Sequence, residues 1–567
     1  MPQLYAVRPK QLATMLTRDR VRLDADVYYP AAAGEFPVLL MRQPYGRAIA
    51  STVVYAHPTW YAAQGFIVVI QDVRGRGTSE GDFRLFEHEA ADGFDTVEWA
   101  AQLPQSNGRV GMYGFSYQGM TQLFAAQMCP PSLRAIAPAM VGYHPCTDWA
   151  YENGALLLQA GVGWAIQLAA ETARLKGDRV AFQALYQASR QLPLTEAIPA
   201  RPSVLEQYAP ESFWHDWLAH PHPDDAYWQR LTPQLAAVDL PMLHIGGWFD
   251  PYLRGDLRLY RTLTARSQYP QPLWIGPWGH LPWGRVVGDR DFGPAANSPI
   301  DRLQVDWFSH WLQPDGGDRP TPDSTLHWFE MGSNRWRRFA TWPEPPPQPW
   351  YLVSNGLAAM HLAAGRLVAA ADLEESRDRP SPEAPPDTLV HDPWRPVPAL
   401  GGHAAIPAGA FNRAALDCRS DVLTYTSAPL PAALAIAGQV EVVLTCRCDR
   451  PSFDLSVTLS EVSPDGAVYP LTQGYGRFGQ IPDQWGSCRL LLQTTCFQLA
   501  AGQALRLSLS AACYPAYDLN PGTVQQPSAP SPLMAAQITT LQVQCLGDDA
   551  TVLWLPVVPP AAIPQSE

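Results

Sequence analysis

Two apolar runs near the N-terminus limit the architecture more than any other feature. "FPVLLMRQPYG" (36–46) and "GFIVVIQDVRG" (65–75) are continuous rather than alternating, and both end in turn residues. A strand with no polar side must be buried on both faces, as in a parallel sheet covered by helices. "VRLDADVYYP" (21–30) alternates like a half-buried strand. "EHEAADGFDTVEWAAQLP" (87–104) has helical spacing and is stopped by Pro104. Strand "RVGMYGF" (109–115), helix "YQGMTQLFAAQM" (117–128) and strand "LRAIAPAMVGY" (133–143) follow. Strands alternating with helices predict an α/β sheet with helices on both sides.

The pattern changes after residue 145. "GALLLQAGVGWAIQLAAETARLKGD" (154–178) and "RVAFQALYQASRQLP" (179–193) read as helices, with little strand-like sequence before about residue 235. This predicts a helical cap over 146–235, inserted between α/β segments 1–145 and 236–345. The α/β pattern resumes with "LPMLHIGGWFD" and "QPLWIGPWGH" and closes with the helix "SPIDRLQVDWFSHWLQ". "TWPEPPPQPWYLV" (341–353) is a Pro-rich joint. Beyond it "DVLTYTSAPL", "QVEVVLTCRCD", "FDLSVTLSEVSPDG" and "QALRLSLSAAC" alternate between turn signals, predicting an all-β sandwich or jelly roll over 350–567. "DRPSPEAPPDT" (378–388) reads as an exposed loop.

At 567 residues the chain needs several cores, and 47% hydrophobic content can fill them. Its net charge of −13 argues against nucleic acid and anionic membranes as partners. A small-molecule substrate is compatible with this balance, and a homodimer is left open. The N-terminus has no apolar h-region and no run of 18 apolar residues occurs, so neither a signal peptide nor a membrane span is expected. The nine cysteines show no metal-site spacing; Cys446 and Cys448 share one face of a strand. A reduced, cytoplasmic setting follows as the simplest expectation.

Ser116, in "GFSYQG", lies between a strand and a helix, where a sharp turn would expose its hydroxyl. Gly114 would relieve crowding on the strand side. Gln118 occupies the place of the usual second glycine, and Gly119 would serve one residue later, where the helix crosses back. A serine nucleophile needs an imidazole and an orienting carboxylate. Asp250 and His280 each end a later strand, in the chain order expected for such a site. Asp256 falls on the following helix, His310 has helical spacing, His244 lies inside an apolar strand and His88 in an acidic stretch. For the oxyanion, the Tyr117 amide is one donor. The Tyr45 hydroxyl, in the loop 41–47, is a second candidate that residues alone do not separate from a packing tyrosine. "QDVRGRGTSEGDF" (71–83) lacks a phosphate-loop pattern and reads as a turn locked by Asp and Arg. No metal or organic cofactor is needed.

With these residues in view, the chain resembles the cocaine esterase and X-prolyl dipeptidyl-peptidase group of α/β hydrolases. The resemblance is carried by "RQPYGR", "GFIVVIQDVRGRGTSEGDF", "DGFDTVEWAAQLPQSNGRVGMYGFSYQGMTQ", "GGWFDPYLRG", "GPWGH", "DWFSHWL" and the β-rich C-terminal half. It implies an α/β hydrolase with an inserted helical cap and a C-terminal jelly roll. It implies Ser116 as nucleophile, His280 as base, Asp250 as orienting acid, and Tyr45 with the Tyr117 amide as oxyanion pair. Trp149 and Trp164, from the cap, and Tyr252 fall where an acyl pocket is lined. Peptidases of the group must bind a substrate ammonium; "CTDWAYENG" offers Asp148 and Glu152, an acidic pair expected to face solvent. The favoured reading is a carboxylic-ester hydrolase accepting an aromatic or apolar acyl group. The alternatives are an X-Pro dipeptidyl-peptidase or acylase acting on amides, and a carbohydrate-binding jelly-roll protein with a degenerate hydrolase domain.

Overall fold

The computed structural model describes residues 4–48, 52–313, 322–375, 385–523, 532–545 and 550–560. Ten strands form the main sheet: β1 (Gln11–Leu16), β2 (Arg22–Tyr28), β3 (Phe36–Gln43), β4 (Ile67–Asp72), β5 (Ser106–Phe115), β6 (Leu133–Ala139), β7 (His244–Phe249), β8 (Leu273–Gly279), β9 (Leu326–Glu330) and β10 (Arg335–Phe339). Their spatial order is β1-β2-β4-β3-β5-β6-β7-β8-β9-β10. The pairs from β4 to β9 are parallel, and the pairings β1–β2, β2–β4 and β9–β10 are antiparallel.

β3 and β4 are buried at every position. Alternate residues serve opposite cores, as the two-residue period of a strand requires. Val38 and Leu40 join the core under helices α1 (Glu89–Ala101) and α2 (Tyr117–Gln127). Leu39 and Met41 face the other core, against Tyr61, Phe308 and Leu312.

Between β6 and β7 the chain inserts a π-helical turn (Pro145–Ala150), a short hairpin and five helices, the longest being α3 (Leu158–Leu175). The hairpin corrects the helical reading from Gly154: Tyr151–Glu152 pairs with Ala155–Leu156 around an Asn153–Gly154 turn with both φ positive. β7 leads into α4 (Leu253–Thr264), and α5 (Ile300–Leu312) packs on β5 and β6. The sheet does not close at α5, because β9 and β10 extend it afterwards.

The C-terminal part is an all-β jelly roll, with an eleven-stranded and a three-stranded sheet. The end of the Pro-rich joint is already its first strand, Gln348–Val353. The expected loop at 378–388 lies mostly outside the described residues; at its end Asp387 is buried and begins a strand. Cys446 and Cys448 are both on the inner face of Glu441–Cys448. The jelly roll shares one apolar core with the hydrolase part, joining Trp248, Phe249, Leu257 and Ile275 to Leu352, Leu423 and Phe497.

A polar node sits where cap, hydrolase and jelly roll meet. Glu152 accepts hydrogen bonds from Arg254 Nη1 (2.8 Å), His403 Nε2 (2.9 Å) and the Tyr517 hydroxyl (2.7 Å). Asp148 is fully buried and pairs with Arg258 at 3.1 Å. The acidic pair therefore does not face solvent, because arginines from α4 draw both carboxylates inward. Burial alone would raise the Glu152 carboxyl, but His403 and Arg254 outweigh it and hold it at about 2. A carboxyl held below its ordinary value of about 4.3 stabilises the fold above that pH and loses this contribution as the pH falls through the folded value. Glu152→Gln should cost about 3 kcal/mol at neutral pH. The gap from wild type should close as pH drops from about 5 to about 2, which urea midpoints across that range would measure.

Candidate active site

Ser116 is the turn residue between β5 and α2, with φ 60° and ψ −126°. An L-residue avoids that conformation, so the surroundings must enforce it. Its N–H is anchored to the Ala139 carbonyl of β6 at 2.9 Å. Two buried glutamines on α2 complete the clamp. The Gln118 carboxamide accepts from Phe115 N (3.3 Å), and Gln122 bonds both Gly114 O and Ala137 N at 3.0 Å.

Gly114 has φ 139°, and a Cβ there would lie 2.5 Å from Gln118 Cβ. A Cβ on Gly119 would lie 2.3 Å from Val141 Cγ1 and 3.1 Å from the Ala139 carbonyl. Gly119 is thus the point where α2 presses on the segment leaving β6. With Gln118 packed on Gly114, the second glycine is needed one position late.

Asp250 ends β7 and is fully buried; His280 follows β8 with its side chain 26% exposed. His280 Nδ1 lies 2.8 Å from Asp250 Oδ1. That contact fixes the ring and leaves Nε2 on the side away from Asp250. The imidazole packs on Phe115, next to Ser116, with ring centroids 5.5 Å apart, and edge-on to Tyr252 at 4.9 Å. The described residues include no direct hydrogen bond between Ser116 and His280. The Ser116 side chain lies close enough to Tyr45 to act on its phenol.

Tyr45 projects from the loop after β3, and its hydroxyl accepts from Trp164 Nε1 at 3.1 Å. Burial pushes its phenol up to about 12, against the opposing pulls of Trp164, Arg76 and Ser116. Tyr45 is therefore a neutral donor at ordinary pH. Tyr117 is the first residue of α2, so its N–H has no acceptor within the helix. Its side chain points away and donates to Glu89 at 2.8 Å.

An unbroken row of rings leads from the imidazole into the cap. Tyr252 meets Trp149 at 4.7 Å, Trp149 stacks on Trp164 at 5.2 Å, and Trp164 meets Phe213 at 4.9 Å.

The other candidates are engaged elsewhere. Asp256 accepts from Val141 N at 2.8 Å, and burial together with the Asp250 charge pushes its carboxyl well above the ordinary range. His244 bonds Gln271 at 2.9 Å, and burial lowers it to about 4. His310 packs edge-on against Trp311. His88 is half-buried at the start of α1. The turn after β4 is locked by Asp72, which accepts from Arg47 N at 2.7 Å, and by Arg74, which bridges Asp19 and Asp92.

One contributor carries no sequence signal. Gln493 of the jelly roll donates through Nε2 to the Trp248 carbonyl (2.8 Å) and the Asp250 carbonyl (3.2 Å). The loop presenting Asp250 is thus held from the C-terminal domain.

A ten-stranded sheet of this order, with a serine on a strained strand–helix turn and a capped site at the strand ends, defines an α/β hydrolase. The profile of the X-Pro dipeptidyl-peptidase (S15) family matches residues 19–282, and that of the X-Pro dipeptidyl-peptidase C-terminal non-catalytic domain matches 320–545. A cocaine esterase from Rhodococcus sp. (strain MB1 Bresler) is 30% identical over 501 residues, 83% of each chain. The chain belongs to the cocaine esterase and S15 group of α/β hydrolases. Solved structures share its fold, two of them as follows. An aminopeptidase from a Thaumarchaeota archaeon has TM-score 0.80 and 22% identity, covering 99% of this chain and 97% of its own. An α-amino acid ester hydrolase has TM-score 0.75 and 22% identity, covering 97% and 96%. Among the described residues no helix is long and apolar enough to cross a membrane.

Gly119→Ala should destabilise the fold by about 1–3 kcal/mol, the cost of forcing a methyl into a filled contact. The denaturant midpoint should fall with the m-value unchanged.

Proposed function

We propose that this protein is a serine carboxylic-ester hydrolase with Ser116 as nucleophile, His280 as general base and Asp250 as orienting acid. The observation that carries this reading is the 2.8 Å His280–Asp250 contact beside a serine held in a strained turn. His280 Nε2 takes the Ser116 proton as the hydroxyl attacks the ester carbonyl. The Ser116–His280 hydrogen bond forms in the substrate complex, as catalytic contacts often tighten on binding. The Tyr45 hydroxyl and the Tyr117 N–H stabilise the oxyanion; Tyr45 stays protonated because burial disfavours its phenolate. His280 then returns the proton to the departing alkoxide, and water resolves the acyl-enzyme through the same base. Trp149, Trp164 and Tyr252 receive an aromatic or apolar acyl group by ring stacking.

Ester rather than peptide hydrolysis is favoured by the state of the acidic pair. Capture of a substrate ammonium needs an uncommitted carboxylate, whereas Asp148 and Glu152 already serve arginines. The similarity to a cocaine esterase points the same way.

Ser116→Ala should lower kcat by about 10⁴-fold or more. It should also abolish labelling by a fluorophosphonate; a folded variant with near-normal turnover refutes the assignment. Tyr45→Phe should reduce kcat by about 10²–10³-fold, the effect of losing one oxyanion donor. A change confined to KM would make Tyr45 a binding residue. A screen of p-nitrophenyl esters against X-Pro-anilides tests the bond cleaved, and preference for the anilides would reassign the protein as a peptidase.

A further inference from the structure

Arg76, in the turn after β4, is buried without a counter-charge. The arginines buried among the described residues are Arg42, Arg76, Arg413 and Arg506. Arg42 meets Glu89 at 2.6 Å, and Arg413 and Arg506 share Asp417 at 3.0 and 3.3 Å. Arg76 is 1% exposed, yet none of the described carboxylates pairs with it. Its Nη1 donates to the Leu168 carbonyl of α3 at 3.1 Å, its Cζ lies 3.7 Å over the Phe83 ring, and its Nε has no partner. The carboxylate whose charge reaches it, Glu171, is gripped by two nitrogens of Arg174 at 2.7 Å. Burial lowers Arg76 itself to about 10, the mark of a cation that lacks compensation. Buried charges in folded proteins are ordinarily paired, so an anion is the natural complement of this guanidinium.

The position says where that anion would come from. Leu168, which caps Arg76, is one turn beyond Trp164 on α3, and Trp164 touches the Tyr45 hydroxyl. Phe83, on which the guanidinium stacks, lies 6.1 Å from the Tyr117 ring, and the Arg76 charge acts on the Tyr45 phenol. The guanidinium therefore lies against the cap helix that carries Trp164, on the side of Tyr45.

We propose that Arg76 is an anion subsite of the acyl pocket and that the substrates are monoesters of dicarboxylic acids, whose free carboxylate it binds. This deepens the serine-esterase reading and rests on it. A planar carboxylate matches the paired N–H edges of a guanidinium, and the aromatic row covers the apolar middle of such an acyl group. Arg76 makes and breaks no bond in the reaction; it selects the acyl group.

The test uses the full-length protein and p-nitrophenyl monoesters of glutaric, adipic and terephthalic acids. Each is compared with its counterpart in which the free carboxyl is capped as a methyl ester. At least one anionic member should exceed its capped counterpart in kcat/KM by about ten- to a hundredfold, the worth of a charged hydrogen bond. That ratio should collapse in Arg76→Met and be partly retained in Arg76→Lys. Capped esters preferred throughout by wild type would overturn the proposal. So would an equal loss on both members in Arg76→Met, which would make Arg76 only a tie to the Leu168 carbonyl. If Arg76→Met fails to fold, the wild-type ratio and Arg76→Lys decide. Binding is read separately from the Tm of Ser116→Ala with free glutarate, adipate or terephthalate against the matching monoacids. A diacid-specific rise that needs Arg76, without turnover of any ester, keeps the subsite and removes the esterase reading. Turnover of neutral esters, with neither a charge preference nor a diacid-specific rise, removes the subsite alone.

Discussion

The close approach of α2 to the end of β6 is the contact on which the site depends. Only a residue without a side chain fits at Gly119, and the helix can then start directly under Ser116. The left-handed backbone of Ser116 is a cost of order 1–3 kcal/mol that the turn cannot meet from its own contacts. It is met by buried hydrogen bonds: the Ala139 carbonyl accepts from Ser116 N, Gln118 accepts from Phe115 N, and Gln122 bridges Gly114 and Ala137, joining three consecutive elements. In return Ser116 stands at the end of β5, directly before the first amides of α2. The rest of the site is arranged around a serine whose position is already determined.

Buried ion pairs tie the three parts of the chain together. Glu152 leaves the sheet region in a hairpin, Arg254 comes from α4, and His403 and Tyr517 come from the jelly roll. Asp454 likewise accepts from Arg477, Tyr475 and Asn520 within the jelly roll, close to the same junction. Such networks fix relative orientation because each member satisfies the others; losing one leaves a charge stranded. The shared apolar core supplies adhesion, and these pairs supply register.

What could be read from the chain was whatever is local. The continuous runs of β3 and β4, the glycines around Ser116, and Asp250 and His280 at strand ends all lie within short windows, where period and turn chemistry act. Features that depend on distant partners were not readable. Asp148 and Glu152 look like a solvent-facing pair until Arg258, Arg254, His403 and Tyr517 are brought to them. β10, "RWRRF", is too charged to read as a sheet strand, yet an edge strand tolerates and even benefits from such charge. The Asn153–Gly154 turn does carry a hairpin signal, but the apolar run after it reads as the start of α3. Tyr45 is set apart from a packing tyrosine only by family resemblance, since its surroundings, Trp164 and Ser116, lie far along the chain.

The bond from Gln493 to the backbone around Asp250 has a consequence for biosynthesis. When the ribosome has released the chain as far as α5, Ser116, Asp250 and His280 have all emerged, but the loop presenting Asp250 still lacks its tie to Gln493. That tie becomes available only after the stretch from Leu312 to Gln493 has been translated. Until the jelly roll docks, the loop presenting Asp250 lacks this tie.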